Sequence, residues 1–196
     1  MPISALPAPY GIGSLGQSAY RFIDWLKESG MKIWQVLPLL PTNYGDSPYQ
    51  ACASNALNHY FIDFDLLAEE GLLLPSEYRS VDWGTNGNYG KLFSHRVSVL
   101  KLAFFRFDKE KAEWKDFLSR GAYADYAVFM SLKTYFDNKP WTEWGEYREY
   151  DAAKEKDYIA AHREEFEFWQ FTQYLFLKQW NSLKAYARIN GVEIMG

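Results

Sequence analysis

Apolar residues recur at two different spacings along the chain, and the change of spacing predicts helices that alternate with strands. Residues 17–29 carry apolar side chains at the i, i+3, i+4, i+7 spacing of an amphipathic helix. Gly30 follows as a stop signal. Residues 32–39 form an apolar run, and we expect this run to be a parallel strand that is buried on both faces. Helix, glycine and apolar strand in this order favour an α/β fold.

The second half of the chain is predicted to be mostly helical. The predicted helices are residues 89–120 (one or two helices), 125–136, 147–163 and 166–190. The apolar stripe of the last helix is wide enough to bury most of its girth. Gly191 ends that helix, and residues 192–195 begin a new strand. We expect this strand to pair in parallel with the strand at residues 32–39.

The stretch between the two halves has a less regular pattern. Residues 60–65 alternate partly between apolar and polar, which predicts a short strand or an extended segment. Residues 66–71 predict a helical turn that ends in glycine. Asp63 and Asp65 stand just before this turn, where aspartates commonly cap a helix. We expect both to act as caps.

Composition excludes several classes of function. A length of 196 residues predicts one domain, and a net charge of −4 with a pI near 5.4 argues against nucleic-acid binding. The chain has no run of 18 apolar residues, so the sequence predicts no membrane-spanning helix. The single cysteine, Cys52, cannot form an internal disulfide, which suits a cytoplasmic location. His59, His95 and His162 lack the spacing of metal ligands, and we expect neither a metal nor an organic cofactor.

Residues 11–16 match the dinucleotide-binding pattern G-x-G-x-x-G. The segment before it is broken by prolines, and no acidic residue ends the strand that follows. We therefore expect no dinucleotide site. Aromatic residues make up 19% of the chain, which supplies either a large core or flat surfaces on which sugar rings stack. Rings on loops at strand ends favour the second use.

Residues 44–50, Tyr-Gly-Asp-Ser-Pro-Tyr-Gln, form such a loop. Gly45 permits a positive φ, Pro48 fixes its own φ, and Ser47 before the proline is pushed toward extended geometry. A rigid loop with aromatic and polar side chains at a strand end is where α/β proteins place binding residues.

Several stretches resemble the bacterial 4-α-glucanotransferases, also called amylomaltases or disproportionating enzymes of glycoside hydrolase family 77. The matching stretches are residues 34–39 (Trp-Gln-Val-Leu-Pro-Leu), 41–42, 44–50, 9–13 (Pro-Tyr-Gly-Ile-Gly), 58–67, 125–130 and 139–141. His59 departs from the family, which usually has proline there. The resemblance implies the N-terminal part of a (β/α)8 TIM barrel, with a long, mostly helical insertion between the second and third barrel strands.

The resemblance also implies a division of the chain. Residues 1–50 would hold the end of the first strand, the first helix, the second strand and the substrate loop. Residues 51–165 would form the helical insertion subdomain, and 166–196 the long barrel helix and the start of the third strand. On this interpretation the chain is an N-terminal piece trimmed at both ends.

The implied function is the transfer of α-1,4-glucan segments, from maltooligosaccharides, starch or glycogen fragments, to the 4-hydroxyl of an acceptor sugar. Transfer would proceed with retention through a covalent glycosyl-aspartate, which needs two carboxyl groups. In the family these lie on later strands, so no catalytic residue is expected here and the chain alone is expected to be inactive. The implied partners are α-1,4-glucans, glucose or maltooligosaccharide acceptors, and the rest of the barrel.

Four substrate-binding residues follow from the resemblance. Tyr49 matches a tyrosine that stacks on the glucose ring at the cleavage point, and Ser47 matches a residue that bonds sugar on the acceptor side. Tyr44 matches one at the edge of a second, remote glucan groove. Asp46 belongs to the same loop and is expected to orient it through its side-chain acceptors.

Two other interpretations stay open. The chain could be a stand-alone, aromatic-rich carbohydrate-binding module without catalysis, or a purely helical interaction protein. The strand that begins at Val192 argues against both, because a complete domain would not stop within a strand. The coding sequence after Gly196 would discriminate between them.

Overall fold

A computed structural model describes residues 1–43, 45–85 and 87–196. Most of these residues are helical. The α-helices are α1 (Gln17–Glu28), α2 (Phe64–Glu69), α3 (Pro75–Arg79), α4 (Tyr89–Arg106), α5 (Ala112–Ser119), α6 (Ala124–Tyr135), α7 (Ala152–Ala161) and α8 (Arg163–Ile189). The strands are β1 (Ile33–Gln35) and β2 (Glu193–Met195). Short 3-10 turns span Ile3–Ala5, His59–Phe61, Trp141–Glu143 and Gly145–Tyr147.

β1 and β2 form a parallel pair, with Trp34 opposite Ile194. The ladder continues past the strand end, where the Val36 N–H donates to the Met195 carbonyl at 2.8 Å. The parallel pairing that the sequence predicts is confirmed, although each strand has only three residues.

The prediction that β1 is buried on both faces is wrong. Trp34 is 1% exposed, whereas its neighbour Ile33 is 56% exposed. Successive side chains of a strand point to opposite faces. In the described part of the chain, packing covers only the Trp34 face, where Phe22 of α1 meets the indole ring edge to face at 4.9 Å.

α1 ends as the sequence predicts. Gly30 has φ 73°, and its N–H donates to the Lys27 carbonyl at 3.0 Å. The next N–H, of Met31, donates to the Leu26 carbonyl at 2.9 Å. This pair of bonds is a Schellman motif, which needs a left-handed residue and therefore favours glycine. Gly191, with φ 71°, ends α8 in the same region of φ.

The segment at residues 60–65, predicted as a short strand or an extended segment, contains no strand: a 3-10 turn, His59–Phe61, is followed by the extended residues Ile62 and Asp63 and then by α2. The Asn58 side chain accepts a hydrogen bond from the Tyr60 N–H at 2.9 Å. This local side-chain bond offers the backbone an alternative to a strand ladder, which explains why the partial alternation did not give a strand.

Only one of the two predicted caps of α2 is correct. The Asp63 carboxylate accepts from the Leu66 N–H at 3.0 Å and caps the helix. Asp65 lies in the first turn of α2 and binds other side chains instead. Its donors are Tyr10, Tyr78 and Arg79.

Packing explains the three glycines of residues 11–16. A Cβ on Gly13 would lie 1.9 Å from the Ile3 carbonyl oxygen, and a Cβ on Gly16 would lie 1.9 Å from Asp63 Oδ2. Gly11 has φ 79°, a backbone angle that residues with a side chain rarely adopt. Each glycine therefore has a structural reason.

The chain divides into two compact units. Unit 1 comprises residues 1–108 and 175–196, and its core includes the buried guanidinium of Arg96. Arg96 donates to the Ile62 carbonyl and lies 4.2 Å from the ring centre of Phe64. Burial lowers the pKa of Arg96 to about 10, although the nearby Asp63 and Tyr60 act in the opposite direction.

Unit 2 comprises residues 109–174 and has a core of its own. One cluster of buried residues in it consists of Val128, Leu132, Trp144 and Tyr158. The Tyr158 hydroxyl is satisfied by Ser131 Oγ at 2.9 Å. In the described ranges, none of the helices has the length and apolar character needed to cross a membrane.

Candidate functional site

The candidate site is a closed loop after β1, which we call the 42–51 loop. Thr42 and Ala51 face each other in an isolated antiparallel bridge. Between them, the Asn43 N–H donates to the Gln50 carbonyl at 3.0 Å. These contacts join the two ends of the loop, so that residues 45–49 form its tip. Tyr44, which the resemblance assigns to a remote glucan groove, lies outside the described residues.

Asp46 orients the loop from within. It has φ 52°, in the left-handed region, and its N–H donates to the Asn43 carbonyl at 2.9 Å. The Thr42 hydroxyl donates to Asp46 Oδ1 at 2.9 Å. Burial raises the pKa of the Asp46 carboxyl, and the hydrogen bond from Thr42 acts against that increase. This bond joins the Asp46 carboxylate to Thr42 at the base of the loop, and the expectation that Asp46 orients the loop stays a prediction.

Ser47 and Tyr49 lie at the tip of the loop. Ser47 is half-buried, its carbonyl accepts from the Gln50 N–H at 3.0 Å, and its hydroxyl accepts from the Tyr49 N–H at 3.3 Å. The Tyr49 side chain is 74% exposed. A tyrosine on a closed turn with a free ring face can stack on a flat apolar ligand such as a sugar ring.

A cleft lies against the base of the loop. Thr42, Asp46 and Pro48 form the loop side of this cleft. Asn58 and Tyr89 line it from other segments of unit 1. The loop therefore contributes polar atoms to a partly apolar cleft, the usual composition of a small-molecule site.

A family model described as 4-alpha-glucanotransferase matches residues 1–196. This chain belongs to the 4-alpha-glucanotransferase family. The 42–51 loop and the parallel strand pair are thus features of a member of that family.

Relatives within the 4-alpha-glucanotransferase family are similar over the whole chain. The Clostridium butyricum enzyme is 39% identical over 100% of this chain, and that of Streptococcus pneumoniae serotype 4 is 42% identical over 100%. A solved amylomaltase from Streptococcus agalactiae, in complex with acarbose, is 37% identical and has a TM-score of 0.93 over 99% of this chain. The chain spans 42%, 41% and 41% of the lengths of these three relatives.

The sequence did not mark two tyrosines that lie near Asp46 in this member of the 4-alpha-glucanotransferase family. Tyr60, in the 3-10 turn, and Tyr89, at the start of α4, have ring centres 6.4 Å apart. Burial raises the pKa of both hydroxyls, and the Asp46 carboxylate adds to the effect. No local motif marks either residue, because they approach Asp46 only through the fold.

Two acidic side chains of unit 1, Asp46 and Asp63, have structural partners. Asp46 binds Thr42, whereas the buried Asp63 accepts from Ser14 Oγ at 2.6 Å.

Burial, with a contribution from the charge of Arg96, lowers the pKa of His59 to about 3, so this imidazole is neutral at physiological pH. In the described ranges, no three side chains of His, Cys, Asp or Glu converge in a way that could hold a metal ion.

Proposed function

We propose that this chain is part of a 4-α-glucanotransferase that transfers segments of α-1,4-glucan between sugar chains. The observation that carries the proposal is the match of the family model to all 196 residues. The donors would be maltooligosaccharides or fragments of starch or glycogen. The acceptors would be glucose or maltooligosaccharides, with the new bond made to a 4-hydroxyl.

The proposed architecture is a (β/α)8 TIM barrel. The parallel pair of β1 and β2 supports it, since the strands of such a barrel are all parallel. In this proposal residues 1–50 and 166–196 belong to the barrel, and residues 51–165 form a mostly helical insertion between its second and third strands. The 42–51 loop then follows the second strand, at the barrel end where active sites lie.

The proposed reaction is retaining. A carboxylate attacks the anomeric carbon and forms a covalent glycosyl-aspartate, while a second carboxyl group protonates the departing sugar oxygen. The acceptor 4-hydroxyl then displaces the aspartate and gives its proton to the second group, so the original configuration is restored. Carboxylates alone carry these steps, and we propose that the reaction needs no metal or organic cofactor.

The proposal places both reacting carboxyl groups outside this chain. This chain contributes to substrate binding: Tyr49 stacks beneath the sugar ring at the cleavage point, and Ser47 bonds the sugar on the acceptor side. Tyr44 borders a second, remote glucan groove, and Asp46 holds the loop that carries the others. We also propose a cytoplasmic location, the compartment that suits a single cysteine such as Cys52.

Maltotriose is the substrate that tests this function. The full-length protein, given maltotriose alone, should release glucose and form longer maltooligosaccharides. Replacing Tyr49 by alanine removes the stacking surface, which we expect to reduce turnover by about three- to tenfold. If the Tyr49 ring binds the flattened transition state of the sugar more tightly than its ground state, Tyr49→Ala lowers the turnover number and does not only weaken substrate binding.

Tyr49→Phe is the matched control, because it keeps the ring and removes only the hydroxyl. It should retain most of the activity if stacking dominates. Wild-type turnover in Tyr49→Ala would show that Tyr49 does not belong to the substrate-binding site. If the full-length protein bound maltooligosaccharides but released no glucose, it would be a binding module instead of a transferase.

A further inference from the structure

The conformation of the 42–51 loop depends on bonds within the loop. Gly45, Tyr49 and Gln50 are exposed, so these residues have little packing against the rest of unit 1. Among the described residues 43 and 45–50, the hydrogen bonds join loop residues to one another. A loop of this kind keeps one conformation only if its internal bonds hold it there.

The bond between Thr42 and Asp46 joins the tip of the loop to its base. Asp46 adopts a left-handed backbone conformation at φ 52°, which costs energy for residues other than glycine, although less for aspartate than for most. The Thr42 hydroxyl donates to Asp46 Oδ1 at 2.9 Å, from a residue whose own backbone is anchored by the bridge to Ala51. The half-buried carboxylate is therefore tied to the base of the loop.

We propose that Thr42 and Asp46 form a latch that holds the loop in its glucan-binding conformation before the sugar arrives. Thr42 is then a positioning residue: it acts through Asp46 on Ser47 and Tyr49. This inference rests on the proposed glucanotransferase function. Without the latch, only a fraction of the free protein would have the binding conformation, and the apparent affinity would fall by that fraction. Bound glucan would still order the loop, so the turnover number would change little.

The effect of the latch should appear in KM for maltotriose. Thr42→Val keeps the shape of the side chain and removes the hydroxyl. Asp46→Gly keeps the left-handed backbone accessible and removes the carboxylate. We expect each to raise KM by about three- to tenfold, with kcat within about twofold. The double variant should be no worse than the single variants, because both remove the same bond.

Two controls separate the latch from a general structural effect. Thr42→Ser keeps the hydroxyl and should restore most of the affinity. Thr142→Val makes the same chemical change at an exposed position of unit 2 and should leave KM and the melting temperature unchanged. A fall in kcat together with the melting temperature in Thr42→Val would show that Thr42 merely stabilises the fold, and would overturn the proposal.

Chymotrypsin provides a readout that does not depend on activity. It cleaves after aromatic residues, so the rate of cleavage after Tyr49 reports how well the loop is held. Thr42→Val and Asp46→Gly should be cleaved faster there than the wild type and Thr42→Ser. Unchanged KM and unchanged cleavage in Thr42→Val, or additive effects in the double variant, would refute the latch. If the wild type released no glucose from maltotriose, the proposed function would fail, while the cleavage rates would still decide whether the latch exists.

Discussion

Gly13 shows how the absence of one methyl group determines the path of the N-terminal segment. Its N–H donates to the Ser4 carbonyl at 3.0 Å, which brings residues 3–6 against the backbone at residue 13. A Cβ there would lie 1.9 Å from the Ile3 carbonyl oxygen and 2.9 Å from the Leu6 nitrogen. Both neighbours are backbone atoms, which cannot move aside by changing a rotamer.

We therefore expect Gly13→Ala to lower the free energy of unfolding by about 2–3 kcal/mol, as overpacked cores do. Gly90→Ala is the matched control: Gly90 lies in α4, where the nearest atom to an added Cβ is Asn88 Oδ1 at 3.6 Å. Alanine should stabilise that helix by about 0.5 kcal/mol. Urea unfolding of the full-length protein measures both, and equal midpoints for the two variants would contradict the steric explanation.

At the scale of elements, the start of α2 is joined to α8 through the backbone of Asp63. The buried Gln179 of α8 accepts from the Asp63 N–H through Oε1 at 2.8 Å and donates to the Asp63 carbonyl through Nε2 at 3.0 Å. The Asp63 side chain meanwhile caps α2 and accepts from Ser14, just before α1. One residue thus connects α2, α8 and the segment before α1.

Gln179→Glu tests this connection with almost no change in shape. The second oxygen of glutamate cannot donate to the Asp63 carbonyl, and burying its charge is unfavourable. We expect a loss of about 2–3 kcal/mol in the free energy of unfolding at neutral pH. Gln17→Glu, the same change at the exposed start of α1, should be neutral or slightly stabilising because acids favour helix N-termini. A normal urea midpoint for Gln179→Glu would show that the connection contributes little.

For the molecule as a whole, stability should depend on the ionisation of Asp65. Its carboxylate accepts from the Tyr10 hydroxyl at 2.9 Å, the Tyr78 hydroxyl at 2.8 Å and Arg79 Nη2 at 2.9 Å. These bonds tie the segment before α1 to α2 and α3. Burial by itself raises the pKa of Asp65, but the hydrogen bonds from Arg79, Tyr78 and Tyr10 outweigh it, so the pKa lies below its usual value.

The direction of this pKa shift determines how stability varies with pH. The unfolded carboxyl titrates near pH 4, at about 3.9. The stabilising contribution of Asp65 is fully present above that pH and is lost as pH falls through the lower pKa of the folded state. The deficit of Asp65→Asn relative to the wild type should therefore be constant near neutrality and shrink below about pH 4.

Urea unfolding at a series of pH values measures this deficit. Asp157→Asn, at an exposed position of α7, is the control and should show a small difference from the wild type at every pH. A deficit for Asp65→Asn that stayed constant down to pH 3 would contradict the assigned hydrogen bonds.

Local patterns in the sequence were enough to determine several features of this protein. The helical spacing and the glycine after it located α1 and its end, and the apolar runs located the parallel strand pair. The motif at residues 44–50 located the loop, because Gly45 permits a positive φ whereas Pro48 restricts its own φ and the backbone of Ser47, whatever surrounds them. The family could be recognised from the same stretches, since short motifs are read directly from the chain.

Only the tertiary structure decided which side chains meet. The partners of Asp65 come from the segment before α1 and from α3. The open face at Ile33 likewise depends on which elements pack against β1. The same holds for Tyr60 and Tyr89 beside Asp46. Periodicity tells which face of an element is apolar, but burial and hydrogen bonding depend on what packs against that face, and this information is spread over the whole chain.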